Sequence, residues 1–270
     1  MTESDRHTVS AMMNKVPAVT IFFWIIKVLA TTVGETAADF FSGWLDLGLS
    51  NTSYITAALL AAALVYQLLQ RKYVPWAYWV SVVLISIAGT LITDKLVDDL
   101  GVSLETTTAA FGVALLLTFA TWYAIEKTLS IHTIYTTRRE LFYWLAILFT
   151  FALGTAAGDL AAEGLDLGFG QSAVIFAALI ALIAGAHFFQ KFDPVLSFWI
   201  AYILTRPLGA SCGDLLSQPI SDGGLGFGTI YTTALFLAVI IGLVVYLTIS
   251  RRDVDTQSLA GSAGGGRHLP

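Results

Sequence analysis

Charge is what this sequence most lacks. Asp, Glu, Lys and Arg make up 12% of its 270 residues, where a soluble domain carries about a quarter. With 56% hydrophobic residues and a mean hydropathy of +0.76, that scarcity excludes an ordinary soluble globule. Cysteine is nearly absent. The lone Cys212 excludes an internal disulfide framework and any multi-cysteine metal site, and beside Gly213 it reads as a small buried filler. There is no H-E-x-x-H, G-x-S-x-G or P-loop lysine, so the expectation is a non-enzyme without a cofactor. Basic residues form only short runs, which excludes nucleic acid as a partner.

What is present is apolar length. Runs of about 18 to 25 apolar residues recur, each able to cross roughly 30 Å of hydrocarbon as a helix. Eight such spans are expected, near 17–45, 53–70, 76–98, 104–126, 141–163, 172–190, 195–218 and 228–249. The predicted fold class is all-α, a polytopic membrane helix bundle whose partner is the lipid bilayer. Residues 1–15 read as a polar cytoplasmic tail without the apolar core of a signal peptide. Residues 16–130 and 131–250 form two halves, and residues 251–270, rich in Gly and Ser, read as a disordered cytoplasmic tail.

The few basic residues are sorted. Lys15, Arg71, Lys72, Lys127, Arg138, Arg139, Lys191, Arg251 and Arg252 fall before the first span, in the even-numbered loops or after the last span. The odd-numbered loops have no Lys or Arg. By the positive-inside rule both termini are cytoplasmic.

The spans repeat. Trp24 and Trp79 are 55 residues apart, as are Trp144 and Trp199, and the two pairs are offset by 120. Each follows an aromatic residue: Phe23, Tyr78, Tyr143, Phe198. Ten residues after each Trp stands Gly34, Gly89, Gly154 or Gly209, and fifteen after it Asp39, Asp94, Asp159 or Asp214. A two-helix unit duplicated twice explains this, giving four parallel modules that enter the membrane in the same direction. The motif-bearing odd spans are expected inside and the even spans outside.

Each motif residue type carries a physical expectation. The tryptophans, early in their spans, read as headgroup anchors. The glycines, with a small residue four positions on, read as helix-packing seams. The aspartates cost up to about 3 kcal/mol each in lipid, so they need a purpose. Two purposes are open: hydrogen bonding between modules, or a shared site for a small cation, with Glu35 as an added ligand. Most of the acidic residues, Asp98, Asp99, Glu163 and Asp222 among them, fall toward the same outer side, which would concentrate cations.

Lys27, Thr31, Glu35 and Asp39 form one i, i+4 stripe, and Tyr202, Arg206, Ala210 and Asp214 its counterpart in module four. Lys27 and Arg206 thus fall near mid-membrane, where a charge needs a partner. Lys27 is about 12 Å below Glu35 on the same helix, too far to pair. Arg206 lies one turn below the level of Glu35, so the expected bridge is Arg206 to Glu35, which requires modules one and four to be neighbours. His187 reads as an interfacial or packed histidine, and His132 as an ordinary loop residue.

The stretch "KVPAVTIFFWIIKVLATTVGETAADF" and its three echoes resemble a bacterial family of uncharacterised membrane-anchored proteins built from a tandem repeat of unknown function. The resemblance spans residues 15 to 250. It implies the repeat architecture and the bacterial inner (cytoplasmic) membrane, and no activity. The function expected from the residues is a small-cation transporter, for a divalent metal or a proton-coupled cargo, with an outward-facing acidic site. The alternative is a binding or scaffold protein whose aspartates are structural. Substrate, coupling and oligomeric state are not encoded in any motif.

Overall fold

The computed structural model describes residues 14–45 and 47–254. The chain before residue 14, Asp46 and the tail from residue 255 lie outside the described residues, and most of both expected tails falls there. Eight helices among the described residues are long and apolar enough to cross a membrane. They are α1 (Ile21–Asp39), α2 (Gly48–Leu69), α3 (Pro75–Asp94), α4 (Leu104–Glu126), α5 (Thr137–Asp159), α6 (Gly168–Gln190), α7 (Pro194–Ser217) and α8 (Thr229–Ser250).

The starts of the inner helices follow from local chemistry. Thr20, Thr136 and Asp193 accept hydrogen bonds from the backbone N–H three residues on, at 3.4, 3.3 and 2.8 Å. This satisfies donors that the first turn leaves free. Pro75 and Pro194 sit in first turns, where no N–H is needed. Three outer helices end on a left-handed residue that is basic rather than glycine: Lys127, Lys191 and Arg251. A cation there complements the negative end of the helix dipole.

The odd helices close into a ring, α1 against α3, α3 against α5, α5 against α7 and α7 against α1. Each even helix lies outside, and it packs on the inner helix of the following module: α2 on α3, α4 on α5, α6 on α7, α8 on α1. The inner helices are mostly buried and the outer ones mostly exposed. A single module therefore cannot cover its own inner helix, and the chain must close on itself.

The glycines sit at the ring seams, each against the next module at the position three before that module's own glycine. A Cβ on Gly34 would overlap Ser86, on Gly154 Arg206, and on Gly209 Thr31. A Cβ on Gly89 would come to 2.6 Å from the Phe151 Cβ. Small residues here set the spacing of the inner helices.

The tryptophans depart from the headgroup-anchor expectation. Trp79, Trp144 and Trp199 are buried and Trp24 is half-buried. Each packs at a tilt against the aromatic residue of the preceding module: Phe23 with Trp79 at 5.7 Å, Tyr78 with Trp144 at 5.5 Å, Tyr143 with Trp199 at 6.2 Å, and Phe198 with Trp24 at 5.7 Å between centroids. The aromatic-Trp pair is a clasp between modules. A ring of four inner helices turns those faces toward one another, and burial of the rings outweighs their affinity for a headgroup region.

The chain ends also pack more than expected. Lys15 is buried, and Asp253 is 2% exposed, accepting from Tyr73 Oη at 2.6 Å, while its carbonyl accepts from the Ala18 N–H. Residues 251–254 thus belong to the folded body.

Candidate functional site

Positions four apart on each inner helix stack along the ring axis. One turn before the repeated aspartates stand Glu35, Thr90, Thr155 and Ala210, one per module. Arg206 of module four sends its Nη2 into this level. It donates to Glu35 Oε2 at 2.7 Å, to Thr155 Oγ1 at 2.6 Å and to Thr90 Oγ1. Two hydrogens are shared among three acceptors, so one nitrogen joins module four to modules one, two and three. The position that faces no guanidinium is Ala210, in Arg206's own helix. Gly154 leaves the room through which the arginine stem passes.

Arg206 is fully buried and Glu35 nearly so. The pair was expected at its depth. The two threonines were visible only as the polar members of milder stripes.

Beyond this level the carboxylates gather. Oxygens of Glu35, Asp159 and Asp214 lie within 4.8 Å of one another, from modules one, three and four. The other two repeated aspartates are not in that group. Asp39 accepts from Gln218 Nε2 at 3.1 Å. Asp94 does not join the cluster either. Among the described residues no donor reaches the carboxylates of Asp94, Asp159 or Asp214. The close convergence therefore involves Asp159 and Asp214, two of the four repeated aspartates.

Asp39, Asp94 and Asp159 are also the last residues before single turns of π-helix, Phe40–Trp44, Lys95–Asp99 and Leu160–Gly164. Such turns are rare and frequent at functional sites. Module four has none: after Asp214 its helix runs to Ser217 and the chain turns at Pro219. No sequence signal distinguishes a π turn from a continuing α-helix here. Lys95, the basic residue at this end, is held by Asp99 at 2.8 Å and Ser50 at 2.7 Å.

Below Arg206 the inner helices present buried side chains, Val82, Ile147, Phe151 and Tyr202 among them. Lys27 is fully buried, its Nζ 4.0 Å from the Phe151 ring centroid and 4.2 Å from that of Tyr202. Further along, the Tyr78 and Tyr143 hydroxyls meet at 2.5 Å. At the basic end Lys15 Nζ binds Glu140 Oε2 at 2.7 Å, and Gln67 Nε2 donates to Glu140 Oε1 at 3.1 Å. Sequence reasoning missed this buried network, because its members come from three segments with no common spacing. Cys212 is half-buried rather than buried, and His187 is half-buried at the helix end.

The model of a repeat described as "Repeat of Unknown Function (DUF347)" matches residues 22–73, 77–128, 142–192 and 197–253. The chain belongs to this family. Each matched repeat begins one residue before the aromatic-Trp pair and contains one inner and one outer helix. The family's repeat is thus the two-helix module, whereas its outer helix packs on the next repeat. No curated protein and no solved structure gives a significant match.

Proposed function

We propose that this protein is an integral membrane transporter of a small cation, with both termini in the cytoplasm of a bacterium and the acidic end facing out. The observation that carries the reading is the cluster of Glu35, Asp159 and Asp214, three carboxylates from three modules with only one guanidinium among them. Oxygen ligands of this kind suit Mg²⁺, Mn²⁺ or Ca²⁺. The sorting of basic residues to one end supports the orientation. No catalytic constellation argues for an enzyme, and the bilayer is the one partner the apolar surface requires.

A second reading has its own observation. The hydrogen bonds of Arg206 to three other modules are what a scaffold needs, and they occupy one oxygen of Glu35. In that reading the aspartates complete the same polar plug.

The experiment is divalent-cation titration of the purified protein by thermal stability, followed by flux into proteoliposomes. The transporter reading expects saturable stabilisation that Asp159→Asn and Asp214→Asn abolish, together with flux. Binding without flux would leave the scaffold reading. Neither binding nor flux would remove the cation site.

A further inference from the structure

Two buried cations in the core have donors that no described residue accepts from. Lys27 Nζ, Arg206 Nε and Arg206 Nη1 are buried with no hydrogen-bond partner among the described residues, and so is the Tyr202 hydroxyl. Both cationic side chains are fully buried. They also address one ring: Phe151 has Lys27 Nζ at 4.0 Å and the Arg206 guanidinium carbon at 5.9 Å from its centroid.

The charges at these levels do not balance. Arg206 is matched by Glu35 at 2.7 Å. Lys27 has no such match. At its own level the other modules place Val82, Ile147 and Tyr202, and at the level of Arg206 they place Thr31, Ser86 and Phe151. None of these carries negative charge. Glu35 is two turns further along Lys27's own helix, about 12 Å away by rise. Two aromatic faces attract an ammonium, yet they supply no counter-charge to a fully buried cation.

We propose that a small monovalent anion, of the charge and size of chloride, binds in the core between Lys27 and Arg206. One uncompensated positive charge calls for one negative one. A spherical ion accepts from donors arriving on separate side chains, without the planar fork geometry that a carboxylate uses with arginine. The anion neutralises Lys27 and takes up the arginine donors that Glu35, Thr90 and Thr155 leave over. It lies beneath the carboxylates, which repel anions arriving from that end. The inference does not rest on the cation reading.

The test uses the full-length protein extracted and purified throughout in gluconate, then titrated with chloride or bromide while unfolding temperature is followed. Wild type is expected to gain stability saturably with either halide. Lys27→Met should raise the midpoint of that titration by about tenfold or more, the worth of one charge-assisted hydrogen bond. In gluconate it should be at least as stable as wild type, because an apolar side chain of similar length removes the stranded charge. Lys27→Arg keeps the charge and should keep the halide response. An anomalous bromide peak beside Lys27 would locate the ion directly. No halide response in wild type would overturn the proposal and leave Lys27 an uncharged amine. An equal response in Lys27→Met would overturn it by placing the ion elsewhere.

Discussion

Arg206 on α7 donates to Glu35 on α1 at 2.7 Å across 171 residues of chain, and the same nitrogen bonds Thr155 on α5 and Thr90 on α3. A single guanidinium nitrogen therefore touches one residue from each of the other three modules. Ring closure and charge neutralisation are accomplished by the same side chain.

Removing either partner strands a buried charge. Glu35→Gln or Arg206→Gln alone is expected to destabilise by roughly 3 to 5 kcal/mol, and the double variant by less than their sum. A double-mutant cycle read by unfolding in detergent measures the coupling. Additive losses would show that the pair contributes nothing.

The ring spacing depends on the motif glycines. Gly89→Ala places a methyl 2.6 Å from the Phe151 Cβ and 3.0 Å from the Ala152 nitrogen, and should cost about 1 to 3 kcal/mol. Gly242→Ala, on outer helix α8 with nothing within 4 Å, should gain up to about 1 kcal/mol. Thermal scans of the two variants should move in opposite directions.

Tryptophans of the two kinds should separate. Trp144→Ala empties a clasp between modules and is expected to cost roughly 3 to 5 kcal/mol. Trp76, 47% exposed at the start of α3, should cost much less. Equal losses would return the motif tryptophans to a headgroup role.

The Tyr73–Asp253 bond, outside the spans, should show in pH dependence. Burial raises the Asp253 pKa above the ordinary carboxylate value, and the hydrogen bond from Tyr73 pulls it partly back. A raised carboxylate pKa means that the charged form is the costly one in the fold, so stability falls as pH rises through that value. Tyr73→Phe removes the donor to the charged form. Its penalty, roughly 1 to 3 kcal/mol, is expected at neutral pH and should fade as pH falls through the Asp253 pKa. A penalty constant with pH would show that Asp253 is not the group responsible.

The four aspartates illustrate the limit of reading a duplicated motif. Their spacing places them at equivalent depth, because helix rise depends on position alone. It does not place their side chains. Gln218, in the one module whose chain turns without a π segment, draws Asp39 aside, while Asp159 and Asp214 join Glu35. The tryptophans failed for a related reason. An aromatic residue near a span end suits both a headgroup and a neighbouring ring, and only the neighbour's position chooses between them.

By itself the sequence determined the helices, their number, the four-part repeat, the inner placement of the odd spans and the position of each buried charge along its own helix. All of these follow from hydrophobicity and from regular rise along a helix, which are local properties. Which module touches which, that each outer helix covers the next repeat, that Thr90 and Thr155 complete the arginine's shell, and that Lys27 has no acceptor among the described residues were decided only by the tertiary structure. Those facts depend on rotation about each helix axis and on ring closure, and both are settled when distant segments compete for the same buried space.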